Sequence, residues 1–181
     1  NWLLTSCYKV KYYREPGGTA LGEQLRTLIL SSDYTIDATA ELFLFCAARN
    51  TLVTQAIQPA LSHGDYVILD RFADSTRVYQ GYAGQLDRPT VEAIRSLATG
   101  GLEPAVTFLP LADVETLWQR SCRVEERDRI ENKGLDYLER VLNGYKLLAQ
   151  EFSDRVVVLP ANTEEETFEL AIAELKKRKI L

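Results

Sequence analysis

The sequence predicts an α/β fold in which a parallel sheet is flanked by helices. Short apolar segments recur along the chain, and longer segments with apolar residues at helical spacing separate them. Because parallel strands need long crossover connections, this alternation is typical of βαβ units. The chain has 181 residues, of which 46% are hydrophobic and 26% charged, so we predict one domain over residues 1–181.

The predicted strands are short runs of apolar, aromatic or β-branched residues. The first, YKVKYY, is aromatic and β-branched and is broken by the turn sequence REPGG. The second, YVIL, is a continuous apolar run, which is typical of a strand covered on both faces. The four predicted strands are Tyr8–Tyr13, Tyr66–Leu69, Ala105–Leu109 and Arg155–Leu159.

The helices are predicted from apolar spacing and from signals at their ends. Leu21, Leu25 and Leu28 fall on one face of the first helix. Pro59 should kink the second helix or mark its last turn, because proline lacks the N–H that a helix interior needs. Asp87 is a candidate N-cap. The predicted helices are Ala20–Leu30, Ala38–Leu61, Ala73–Gln80, Arg88–Thr99, Asp113–Cys122, Leu135–Phe152 and Thr163–Lys179.

Composition excludes several classes of function. The formal net charge of −5 argues against a general nucleic-acid binder that works by neutralising phosphates. No apolar run reaches the roughly 20 residues that cross a bilayer. We therefore expect neither nucleic acid nor a membrane as partner.

The cysteines and the histidine exclude further chemistry. Cys7, Cys46 and Cys122 are far apart and form no CxxC, which predicts a reducing compartment and excludes a cysteine zinc site. The single histidine, His63, stands beside Gly64 at a predicted helix end. We interpret it as a C-terminal helix residue rather than as a catalytic group, because that position favours both residue types.

Two groups of polar residues follow predicted strands, where ligands of open α/β sheets bind. Asp70 and Arg71 come after the second strand. An aspartate there can hold a metal ion or its waters, and an arginine can grip a phosphate; alternatively, the two are an ordinary charge pair. Arg14–Gly18 follows the first strand, and its glycines allow close backbone approach, or simply a turn.

Phe45 and Arg49 are one helical turn apart and share a helix face. An aromatic ring that stacks and an arginine that donates hydrogen bonds could together bind a planar base. The alternative for Phe45 is core packing. Arg49 lies in a stretch otherwise rich in apolar residues, and a buried arginine needs an acceptor.

Four arginines crowd into one segment with acidic residues between them. We predict a lid over about residues 120–134 whose arginines close over polyphosphate. The alternative is a solvated segment laced with salt bridges. The arginines are Arg120, Arg123, Arg127 and Arg129.

One motif of phosphoryl-transfer proteins is absent from the sequence. The P-loop, GxxxxGK[ST], cradles phosphates and supplies a lysine to them. Gly17 and Gly22 have the separation of its glycines, but Glu23 and Gln24 follow in place of lysine and serine or threonine.

Four blocks together resemble the bacterial thymidylate kinases: REPGGTALGEQLR, ELFLFCAARNTLV, DRFADSTRVYQG, and DRIE with a downstream GY. They occur in family order from about Tyr8 to the C-terminus. The resemblance implies a P-loop nucleoside monophosphate kinase-like fold. It also implies transfer of the γ-phosphoryl group of ATP to dTMP to give dTDP for dTTP biosynthesis, with Mg²⁺, in a cytoplasmic homodimer.

The resemblance implies roles for residues that match the family motifs. Phe45 resembles the ring that stacks on thymine, and Arg49 the donor to its carbonyl edge. Arg71 resembles the arginine on the dTMP phosphate, and Asp70 the carboxylate that organises Mg²⁺, directly or through water. Arg123 and Arg129 resemble lid arginines with a catalytic role toward ATP. The remaining substrate-binding matches are Glu15, Pro16, Arg26, Thr76 and Gln80.

The family's first strand, which is central in the sheet order 2-3-1-4-5, and its P-loop precede the residues of this sequence. We therefore expect the chain to be a fragment of an active enzyme, and residues 1–181 by themselves to bind ATP poorly. Two other functions stay open. One is a non-catalytic relative that binds nucleotide or dimerises, and the other is a kinase for another monophosphate, such as dUMP or dGMP.

Overall fold

The computed structural model describes residues 8–122, 127–160 and 163–181 and has the predicted α/β architecture. The chain divides into two compact units. Unit A contains residues 8–103 and 128–132, and unit B contains the other described residues. The single kinase domain over residues 1–181 stays a prediction.

The sheet of unit A aligns the ends of two strands. Strand β1, Val10–Arg14, pairs in parallel with β2, Tyr66–Asp70, and the register matches Tyr13 with Leu69 and Arg14 with Asp70. Because the two strands run the same way and end together, the residues that follow them emerge at one edge of the sheet. This confirms the predicted parallel pairing.

Helices connect and follow these strands. Helix α2 is prolonged by a π-helical segment, Val53–Ile57, and then by α3, so that one long rod leads into β2. A second π-helical segment, Arg77–Tyr82, continues α4. The α-helices of unit A are α1 Ala20–Leu30, α2 Ala38–Leu52, α3 Gln58–Ser62, α4 Ala73–Thr76 and α5 Arg88–Thr99.

The helix ends follow the sequence signals. Side chains of Thr19, Asp37 and Asp87 accept hydrogen bonds from backbone N–H groups that lack a partner inside their helices. Asp87 is thus confirmed as an N-cap. Pro59 lies in the first turn of α3, directly after the first π-helical segment, where the helix has widened. His63 lies at the helix end, as predicted, but it is itself the C-cap residue of α3 in place of Gly64, and its Nδ1 lies 2.6 Å from the Pro59 carbonyl oxygen.

The core of unit A lies between the long helix and one face of the sheet. Leu52, Val53 and Ile57 form a buried cluster with Phe72 and Ala73. Partly buried side chains of both strands pack against it, namely Tyr13, Val67 and Leu69. On the other face, Tyr12 is 64% exposed and Ile68 is 41% exposed. The expectation that the second strand is covered on both faces is therefore wrong for the described chain.

Unit B repeats the parallel pairing. Strand β3, Thr107–Leu111, pairs with β4, Val156–Pro160, with Leu109 opposite Val158. Thr163 and Glu166 form a reciprocal capping box at the start of the last helix. The helices of unit B are α6 Val114–Cys122, α7 Leu135–Glu151 and α8 Glu164–Lys177.

The observed bounds of these four strands differ from the predicted bounds by at most two residues at either end, which confirms the four strands. Within the described ranges, no helix has the length and apolar character needed to cross a membrane.

Candidate functional site

A buried ion pair joins the end of β1 to the face of α2. Arg49 donates from Nε and Nη2 to the Glu15 carboxylate, with distances of 2.8 Å and 2.7 Å to Oε2. Glu15 directly follows β1, and its backbone N–H donates to the Asp70 carbonyl oxygen at the end of β2. The pair therefore ties the carboxyl edge of the sheet to α2.

The Arg49 guanidinium is charged despite its burial. Its side chain is 1% exposed. Burial alone would lower the pKa of Arg49, but the charge of Glu15 and its hydrogen bonds outweigh burial and hold that pKa above its ordinary value. The sequence argument that Arg49 needs an acceptor is thus confirmed, and Glu15 is that acceptor.

The other donors of Arg49 reach the segment after β2. Nη1 donates to Thr76 Oγ1 at 2.6 Å, and Nη2 donates to the Phe72 carbonyl oxygen at 3.3 Å. Together with the bonds to Glu15, these contacts use all but one N–H of the guanidinium. One N–H on Nη1 is left without an acceptor among the described residues.

Phe45 lies between two polar contacts of α2. Glu41, Phe45 and Arg49 are four residues apart and share a face of the helix. One turn before Phe45, Glu41 Oε1 accepts a hydrogen bond of 2.9 Å from Gln80 Nε2. One turn after Phe45, Arg49 donates to Thr76. Phe45 is half-buried, so part of its side chain is accessible.

Arg129, a residue of the predicted lid, contacts Glu41 at one end of the helix face that carries Phe45 and Arg49. Arg129 Nη2 lies 2.8 Å from Glu41 Oε2, and Arg129 Nε donates to the Ile29 carbonyl oxygen at 2.8 Å. The guanidinium is therefore engaged in unit A. The predicted role of Arg129 toward ATP stays a prediction.

Arg71 follows β2 in a strained conformation. Its φ of 67° lies in the left-handed region, which a residue with a Cβ rarely adopts. Its side chain is exposed; Nη1 donates to the Tyr79 hydroxyl at 2.9 Å, and the guanidinium lies 5.1 Å from the centre of that ring. Such strain collects at binding sites, which favours the predicted contact with phosphate.

Asp70 ends β2 with an exposed side chain. Across the described residues, no three histidine, cysteine or acidic side chains form a group that could hold a metal ion. Mg²⁺ is usually bound by one or two carboxylates together with water and substrate phosphates. A single exposed carboxylate at this edge fits that mode of binding.

The loop after β1 is held by its own side chains. Arg26 Nη1 donates to the Pro16 carbonyl oxygen at 3.0 Å, and the Gly18 N–H donates to Glu23 Oε1 at 2.8 Å. Gly17 and Gly18 have φ values of 134° and 81°, which only glycine adopts readily. Arg26 therefore orients the same loop that carries Glu15.

A second network anchors the helix that carries Thr76 and Gln80. Arg77 is bonded to Asp74 at 2.7 Å and to Glu92 of α5 at 2.8 Å, and Arg95 bonds Glu92 at 3.0 Å. Burial would raise the pKa of Glu92, but the hydrogen bonds and charges of Arg77 and Arg95 lower it below its ordinary value. These ion pairs hold the second π-helical segment against α5.

The lid prediction falls partly beyond the described residues. Arg123 lies outside them, and so does the side chain of Arg120. Arg127 stacks on Trp118, with 4.9 Å from guanidinium carbon to ring centre, and Nη2 is 2.7 Å from Cys122 Sγ. The lid over about residues 120–134 and the catalytic role of Arg123 stay predictions.

Comparisons with known proteins identify the family of this chain. The family model for thymidylate kinase matches residues 1–172. The chain belongs to the thymidylate kinase family. The thymidylate kinase of Synechococcus sp. (strain CC9902) is 44% identical over 151 residues, which cover 82% of this chain and 72% of that protein. That of Desulfosudis oleivorans is 43% identical over 156 residues, covering 82% and 73%. That of Thermoanaerobacter sp. (strain X514) is 37% identical over 164 residues, covering 90% and 80%.

Membership of the thymidylate kinase family confirms the resemblance that the four sequence blocks indicated. It also confirms the enzyme class, a kinase. The structure brings Glu15, Arg49 and Thr76 into direct contact.

Sequence reasoning missed Glu41, which proves to be 1% exposed. A glutamate in the middle of a helix is typical of a solvated face, so nothing local marks its burial. The one available signal was its spacing, because Glu41 precedes Phe45 and Arg49 by one and two turns.

Proposed function

We propose that this kinase transfers the γ-phosphoryl group of ATP to dTMP. The observation that carries the proposal is the buried guanidinium of Arg49, which retains one N–H and lies one helical turn from the half-buried Phe45. Phe45 stacks on the base, and Arg49 donates to a base carbonyl group. Arg71, at the edge where both strands of unit A end, binds the monophosphate with its planar fork.

Supporting residues complete the proposed site. Glu15 and Thr76 orient Arg49, and Arg26 and Pro16 shape the loop that carries Glu15. Asp70 holds Mg²⁺ directly or through water, and the ion neutralises charge on the phosphates when bound. Arg123 and Arg129 of the lid supply positive charge toward ATP.

The test is a phosphoryl-transfer assay on the complete protein encoded by the gene that contains this sequence. With ATP and Mg²⁺, we expect dTMP to be converted to dTDP with a higher kcat/KM than dUMP or dGMP. Binding of dTMP without turnover would favour a non-catalytic relative that binds nucleotide or dimerises. Equal or better turnover of dGMP would overturn the base assignment.

We also propose that the enzyme works as a homodimer in the cytoplasm. Helices α1, α2 and α5 pack side by side and carry exposed apolar side chains, of which Phe43 is 55% and Leu97 is 79% exposed. Such a surface is typical of an interface. The free thiols of Cys46 and Cys122 support a reducing compartment.

Charge placed on this surface is expected to separate the protomers. We predict that Phe43→Glu and Leu97→Glu shift the complete gene product from dimer to monomer in sedimentation velocity at micromolar concentration. Phe168→Glu, on the exposed face of α8, is the matched control and should leave the sedimentation coefficient unchanged. A wild-type protein that sediments as a monomer would contradict the proposal.

A further inference from the structure

The side-chain amide of Gln80 has one orientation that its surroundings allow. Gln80 is 2% exposed, and its Nε2 is 2.9 Å from Glu41 Oε1. A carboxylate only accepts hydrogen bonds, so the amide must offer its nitrogen to Glu41 and not its oxygen. The reverse orientation would bring two acceptors together in a buried place.

Arg129 lies against the other oxygen of the Glu41 carboxylate. Its side chain is 11% exposed, and its Nη2 is 2.8 Å from Glu41 Oε2. A guanidinium carries only donors, so this oxygen also faces a donor. Both carboxylate oxygens of Glu41 therefore face donors, Gln80 Nε2 at Oε1 and Arg129 Nη2 at Oε2.

The amide oxygen is left available on the opposite side. The branches of an amide point apart, so Oε1 of Gln80 faces away from Glu41. Among the described residues, none donates a hydrogen bond to it. This oxygen can therefore accept a hydrogen bond from a ligand or from water.

We propose that Glu41 is a positioning residue that selects the base through Gln80. This inference rests on the proposed function. By fixing the amide, Glu41 makes the site present an acceptor to the base, and this acceptor fits a pyrimidine that carries a proton on N3. The N3 of cytosine carries no proton, so cytosine would place an acceptor against the Gln80 acceptor.

Neighbouring groups complete the pattern. Thr76 lies one helical turn before Gln80. Its hydroxyl proton, which has no acceptor among the described residues, and the remaining N–H of Arg49, whose Nη1 contacts Thr76, are the donors of this part of the site. Thymine and uracil present a carbonyl group beside N3–H, so they match a donor beside an acceptor. Cytosine can accept a hydrogen bond from the donor through its O2, but its N3 has no proton to donate to the Gln80 acceptor.

The test is the ratio of kcat/KM values for dTMP and dCMP in the complete gene product carrying Glu41→Gln. A glutamine at position 41 can donate or accept, so it no longer fixes the Gln80 amide. We expect the wild-type preference for dTMP to be roughly 10³-fold or more, and the variant to reduce it about tenfold or more. Dissociation constants from calorimetry should change in the same direction.

Glu174→Gln is the matched control. It also removes one carboxylate from an ion-pair network, but its partners are Lys177 and Arg178 at the end of α8 and not Gln80. We expect it to lower stability without changing the substrate ratio. If Glu41→Gln slows both substrates equally, Glu41 is only structural and the inference is overturned. If wild-type protein fails to phosphorylate dTMP, the proposed function itself has failed.

A measurement on the wild-type protein avoids dependence on how the variant folds. The side-chain amide protons of Gln80, assigned by NMR, should exchange slowly and resonate downfield in the free protein, because one of them is bonded to a carboxylate. Signals typical of an exposed glutamine would overturn the inference.

Discussion

Replacing Arg49 with methionine is expected to lower kcat/KM for dTMP about 10²-fold and the free energy of unfolding by about 3–5 kcal/mol. The catalytic loss arises because the last N–H of Arg49 no longer reaches the base. The loss of stability arises because Glu15 is left buried without its partner, 2.7 Å from where Nη2 had been. Denaturant unfolding and steady-state kinetics measure the two effects.

A double variant separates these effects. Adding Glu15→Leu to Arg49→Met removes the unpaired carboxylate, so part of the lost stability should return. Turnover of dTMP should not return, because the donor to the base is still missing. Recovery of kcat/KM in the double variant would show that Arg49 acts only by neutralising Glu15.

Replacing Arg71 with glycine is expected to raise stability while it lowers activity. Glycine adopts a φ of 67° without a Cβ penalty, so the free energy of unfolding should rise by about 0.5–1 kcal/mol. Loss of the guanidinium should lower kcat/KM for dTMP roughly 10²-fold, because a charged bidentate contact with the phosphate is removed. A rise in the free energy of unfolding together with a fall in kcat/KM distinguishes a binding residue from a structural one.

Gln85→Gly is the matched control for this variant. Gln85 is also exposed, has a φ of 58°, and carries no proposed role. It should raise stability by a similar amount and leave kcat/KM unchanged. If Arg71→Gly keeps wild-type activity, Arg71 does not bind the phosphate.

Features that depend on local pattern could be predicted from the sequence. The strand β2 needed only a continuous apolar run, and the N-cap at Asp87 only its place before a helix. The importance of Arg49 followed from its place among apolar residues. These predictions succeed because the determining neighbours are close in sequence.

Features that depend on distant neighbours could not be predicted. Glu15 is 34 residues from Arg49, and Glu41 is 39 residues from Gln80. Their contacts arise only when the strands pair and α2 packs against the second π-helical segment. The strained φ of Arg71 likewise has no signature in residue type, since arginine does not favour the left-handed region.

The central claim is that Arg49 binds the base and Arg71 binds the phosphate. Calorimetric binding of thymidine and dTMP tests it most directly. In wild-type protein, dTMP should bind more tightly than thymidine because Arg71 contacts its phosphate. Arg71→Gly should reduce the affinity for dTMP toward that for thymidine and leave thymidine binding unchanged. If it weakens thymidine and dTMP equally, or weakens neither, the account is contradicted.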